Sequence, residues 1–114
     1  MSHVVAPFEV ASKAFAQPVG VRFVQLMPGI ATRHSDTMDV FFFVEGQKVN
    51  VAVSCATLTE LREREGKDLT DQQIVNVAAL HLRRTLEQGY DPTEAELFLG
   101  GKQFRELAQE LVYL

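Results

Sequence analysis

The sequence predicts an α+β domain: a small antiparallel sheet from the first half, with C-terminal helices packed on one of its faces. Three observations predict it. Residues 39–55, DVFFFVEGQKVNVAVSC, are two apolar runs around a Glu-Gly-Gln turn, the pattern of a β-hairpin. Residues 19–27, VGVRFVQLM, alternate as a strand does. From residue 57 onward, capping boxes and terminal glycines punctuate segments of helical periodicity. Strands followed by helices define the class. The 114 residues form one domain, 1–114, since no Pro/Gly/Ser linker or internal repeat divides them.

Taken in order, residues 1–18 contain Phe8, Ala11 and Phe15 at helical spacing between Pro7 and Pro18, which predicts a short helix. The strand at 19–27 sets Val19, Val21 and Phe23 on one side, and Arg22, Val24 and Leu26 on the other. Residues 28–37, PGIATRHSDT, read as a polar loop. The hairpin over about 38–54 takes Gly46-Gln47 as its tip, because glycine suits the first central position of a type II′ turn. That register pairs Glu45 with Lys48, Val44 with Val49, Phe42 with Val51 and Met38 with Cys55. One face is then apolar throughout. The other carries Asp39, Phe41, Phe43, Asn50, Ala52 and Ser54.

In the second half, Thr57 with Glu60 opens a short helix that Gly66 closes. Thr70 with Gln73 opens a longer one, with Ile74, Val77, Ala78, His81, Leu82 and Leu86 along one stripe, and Gly89 ends it. Asp91, Pro92 and Glu94 read as another helical start, broken by LFLGG. A last helix over about 102–114 aligns Phe104, Leu107, Ala108, Leu111 and Val112.

Composition narrows the function. The net charge of −4 disfavours nucleic acid, whose affinity rests on clustered Lys and Arg. Arg83 and Arg84 stand alone among acidic neighbours, so no basic stripe forms. One cysteine makes no internal disulfide, no apolar run reaches the roughly 18 residues of a membrane span, and MSHVVAPFEV does not read as a secretory signal. The expectation is a cytoplasmic protein with no membrane partner.

No catalytic set emerges. Cys55 falls on the apolar hairpin face, where a free thiol behaves as a small hydrophobe. His81 lacks a second ligand at helical spacing, so no metal site is expected. LGGKQF (99–104) fails as a phosphate loop, with Glu96 where the first glycine belongs and Gln103 after Lys102. No cofactor is expected. The aromatic pair Phe41 and Phe43, facing only Asn50, Ala52 and Ser54, asks for cover: burying such a ring is worth roughly 1.5–3 kcal/mol. A homodimer with Phe41, Phe43, Asn50 and Ala52 at its interface supplies that cover; Phe8 and Phe15 of the N-terminal segment are the intrachain alternative. The leading expectation is a self-associating, non-enzymatic module that binds a further, unidentified protein partner. The alternative is a small-molecule binder or small enzyme. Its pocket would lie between sheet and helices and use Arg33, His34, Asp36, Asp39 and His81.

Overall fold

The structure, a computed structural model, describes residues 5–28, 36–94 and 96–114. Its elements run β1 (Phe8–Val10), β2 (Val19–Pro28), β3 (Thr37–Val44), β4 (Gln47–Ser54), α1 (Cys55–Glu65), α2 (Asp71–Glu87), β5 (Leu97–Leu99) and α3 (Gly101–Glu110). The five strands lie in sequence order, β1-β2-β3-β4-β5. The α+β class holds, but the sheet is mixed. β1 to β4 are antiparallel, whereas β5 joins β4 in parallel. Between β4 and β5 the chain crosses through α1 and α2, as a parallel return requires.

Three elements differ from their sequence prediction. Residues 8–10 pair with β2 as an edge strand, Phe8 opposite Val21 and Val10 opposite Val19, where a helix was predicted. A helix of so few residues is marginal alone, and strand pairing also buries Val10 to 2% exposure. Residues 91–94 make a single turn, with the Asp91 carboxylate accepting from the Thr93 N–H and hydroxyl at 2.9 and 2.8 Å. The chain then extends, because Leu97 and Leu99 find partners in Val51 and Val53 of β4. In β2 a bulge between Phe23 and Gln25 inserts Val24, so Leu26 falls opposite Val40 on the same side as Phe23 rather than the reverse.

The hairpin exists, two residues off the predicted register. Its tip is Glu45-Gly46, with φ of 49° and 79°, both positive as a two-residue type I′ loop needs. Phe42 therefore faces Val49 and Met38 faces Val53, while Lys48 stands opposite Phe43 instead of Glu45. Glu45 ties the tip to β2 through its carboxylate, which accepts from the Gly20 N–H at 3.0 Å. Side chains alternate with period two, so a two-residue shift leaves every residue on its predicted face.

The helices cover the apolar face. Val40, Phe42, Val44, Val51 and Val53 from the hairpin meet Val75, Ala78, Leu82 and Leu86 of α2 and Phe104 of α3 in one buried core. Phe23 meets Phe42 edge to face, with centroids 5.8 Å apart. The helix ends are capped in sequence. Ser54, not Thr57, caps α1, its hydroxyl accepting from the Thr57 N–H at 3.3 Å. Thr57 instead turns its hydroxyl to α3 and accepts from the Gly101 N–H at 2.7 Å. Thr70 and Gln73 form the predicted capping box at α2, and Gly66 closes α1 in the left-handed region at φ 66°. Gly100 has another reason to be glycine: a Cβ there would meet the Ser54 Cβ at 2.8 Å.

Candidate functional site

The helices cover one face of the sheet; the other, the open face, gathers the polar and aromatic side chains, with Asp39, Phe41 and Ala52 at its centre buried and its margins exposed. Register places Glu9 of β1, Arg22 of β2, Asp39, Phe41 and Phe43 of β3, Lys48, Asn50 and Ala52 of β4 and Phe98 of β5 on it. Both phenylalanines that β3 presents on this face carry a cation. The Arg22 guanidinium lies 5.0 Å from the Phe43 ring centroid, and the Lys48 ammonium 4.5 Å from that of Phe41. Phe41 is 7% exposed and Ala52 1%, whereas Phe43 is half-buried. The ring predicted to need a partner is thus already covered within the chain in the case of Phe41. Phe8 and Phe15 do not supply that cover. Phe8 faces the helix side with Arg83 over its ring, and Phe15 is 37% exposed. Sequence reasoning missed Phe98, which is 64% exposed beside Ala52. Its signal was the LFL run, read there as a break between helices.

A cleft of about 240 Å³ opens at the edge of this face, between β4 and the turn that follows α2. Phe41, Lys48 and Asn50 line one side, and Tyr90, Glu94 and Glu96 the other. The Asn50 amide donates to a Glu96 carboxylate oxygen at 2.8 Å. Its own oxygen is buried without a hydrogen-bond donor. Burial, then the charges of Glu94, Asp91 and Glu96, push the Tyr90 hydroxyl above its ordinary range.

The residues expected to form a pocket do not converge. Arg33 and His34 lie outside the described residues. Asp36 is exposed, and its carbonyl accepts from the Cys55 N–H at 2.9 Å. Asp39 is wholly buried on the open face and accepts from the Thr37 hydroxyl at 2.8 Å. His81 lies on α2 at 4% exposure, across the sheet from Asp39. Burial alone lowers its pKa and keeps it neutral.

Cys55 is the first residue of α1 rather than a hairpin residue facing Met38. The two meet again as walls of a second cleft of about 240 Å³, shared with Leu58, Arg62, Asp68 and Ile74. Burial first, then the charges of Asp36 and Asp39, raise the thiol pKa, the opposite of what a nucleophile needs. Among the described residues, no group of three or more His, Cys, Asp or Glu is placed to hold a metal ion, and no helix is long and apolar enough to cross a membrane.

Fold and site together define a small α+β domain with a helix-covered sheet face and an open aromatic and charged one. Comparison with protein-family models, with curated proteins and with solved structures finds no match to this chain.

Proposed function

We propose that this protein is a non-catalytic, cytoplasmic interaction module that self-associates through its open sheet face and acts by binding a further protein. One observation carries the reading: Phe98, 64% exposed on the same face as half-buried Phe43. Exposed aromatic surface on an otherwise closed core marks a contact surface. A second copy suits it on charge. Arg22 and Lys48 stand on this face with Glu9 and Glu96 at its margins, so a two-fold related copy can set opposite signs against each other. A net charge of −4 and the lack of a basic stripe make nucleic acid a poorer occupant.

Light scattering on a size-exclusion column tests it. The expected wild-type mass is twice that of the chain, and Phe98→Ser yields a folded monomer with an unchanged circular dichroism spectrum. Phe98 adds little to the core, so loss of fold is not expected. A wild-type monomer across micromolar to millimolar concentration overturns the reading, and so does a dimer that survives the substitution.

A further inference from the structure

We propose that each copy seats its Phe98 ring on the partner's Gly20, beside the guanidinium of the partner's Arg22. The inference rests on self-association through the open face and names the contact that drives it. Gly20 carries the argument. It sits inside β2, opposite Glu9 and therefore on the open face. A glycine inside a strand weakens it, having no side chain to pack and more chain entropy to lose. The other described glycines have a reason within the chain. Gly46, Gly66, Gly89 and Gly101 take a positive φ, and a Cβ at Gly100 would meet the Ser54 Cβ at 2.8 Å. Gly20 has neither reason: its φ is not positive, and a Cβ there would meet nothing within 4 Å. Its N–H donates to the Glu45 carboxylate and its C=O accepts from the Glu45 N–H, bonds open to any residue but proline. A strand glycine that its own fold does not demand marks a place where another chain comes close.

The surroundings of Gly20 select the group that approaches. Bare of a side chain, it floors an open groove of about 430 Å³ walled by Arg22, Phe43 and Glu45. A second groove, toward Pro7 and Glu9, adjoins it across Gly20 and Arg22. Arg22 stands here against Glu9 and Glu45, so the charges are of both signs and neither an anion nor a cation is favoured. The Arg22 guanidinium already lies 5.0 Å from the Phe43 centroid, and its exposed side offers the same contact to a second ring. An aromatic ring suits both features, since it lies flat on bare backbone and turns its π face to the guanidinium. The chain holds such a ring on the same face: Phe98, 64% exposed, opposite Ala52. It does not reach Gly20 of its own copy. Strands β3 and β4 lie between β2 and β5, a gap of roughly 14 Å at about 4.8 Å per strand. A two-fold axis across the face lets each copy fill the groove of the other, so the contact forms twice.

That reciprocity supplies the test, run on the full chain by sedimentation equilibrium. Gly20→Leu fills the groove and is expected to raise the dimer dissociation constant about a hundredfold, roughly tenfold for each of two contacts. Phe98→Ser alone is monomeric on the self-association reading. An equimolar mixture of the two variants is expected to form a mixed dimer only about tenfold weaker than wild type. In it the intact ring of one copy meets the intact glycine of the other, while the second contact has lost both its ring and its groove. Folding is checked apart from assembly. Phe98→Ser with Gly20→Leu is expected to melt no lower than Phe98→Ser alone, since nothing in the chain occupies the new side chain's space. A lower melting temperature overturns the proposal, because the fold itself would then demand the glycine. Gly20→Leu that dimerises as tightly as wild type overturns it as well, and so does a mixture without mixed dimer. In each of these cases a dimeric wild type and a monomeric Phe98→Ser leave the open-face reading standing. A monomeric wild type fails that reading and this contact with it.

Discussion

Val112 and His81 both carry a cost that their local surroundings explain. Val112 adopts φ 63° at the end of α3, where the Tyr113 N–H reaches back to the Ala108 carbonyl at 2.9 Å. That bond and the one from Val112 to Gln109 make a Schellman motif, whose left-handed position is usually glycine. A β-branched residue there is strained, and at 84% exposure Val112 gains little packing in return. Val112→Gly is expected to stabilise the protein by about 0.5–1 kcal/mol, the relieved strain less the added entropy of an unfolded glycine, as urea denaturation would show. His81 acts through protons. Its pKa in the fold lies below the ordinary 6.5 because burial disfavours the imidazolium. Above 6.5 both folded and unfolded states hold it neutral. As pH falls through 6.5 the unfolded chain takes up a proton that the native state refuses, so stability declines. Melting temperature is expected to fall more steeply from about pH 7 to 5.5 in wild type than in His81→Gln. Equal slopes would remove His81 from the acid response.

At the scale of elements, α2 was the most legible part. Its stripe, its Thr70–Gln73 box and its end near Gly89 need only local sequence, and all appear in the structure. Thr57 shows where local reasoning stops. It stands at capping-box spacing from Glu60, yet β4 continues to Ser54, and that residue caps α1 in its place. Thr57 is then buried to 8% exposure and serves the N-terminus of α3, an element 44 residues away. Thr57→Val keeps the shape and removes the acceptor of the Gly101 N–H. It is expected to destabilise by about 1 kcal/mol and to speed exchange of the first α3 amides, with α1 protected as before. Loss of protection in α1 instead would return Thr57 to the role its sequence position suggested. The hairpin was legible in its faces but not in its tip. Glu-Gly and Gly-Gln are both acceptable loops, and only the pairing with β2 through Gly20 and Glu45 separates them.

At the scale of the molecule, α1, α2 and α3 are linked at their exposed edges by ion pairs, Arg84 with Glu110 and Arg105 with Glu60 and Glu65. These fix orientation more than they add stability, because water competes for each charge. If the open face closes against a second copy, the melting temperature rises with protein concentration, by mass action. The sequence alone determined the α+β class, the two-faced hairpin and the capped α2, since each follows from periodicity and side-chain chemistry within some fifteen residues. Only the tertiary structure decided that residues 8–10 and 97–99 are strands. Short apolar segments take whichever backbone state their neighbours can hydrogen-bond, and the waiting edges belong to β2 and β4. It likewise decided that Lys48, Asn50, Tyr90 and Glu96 share one cleft. They come from two segments some 40 residues apart, and no local pattern encodes a meeting made by the parallel return of β5 against β4.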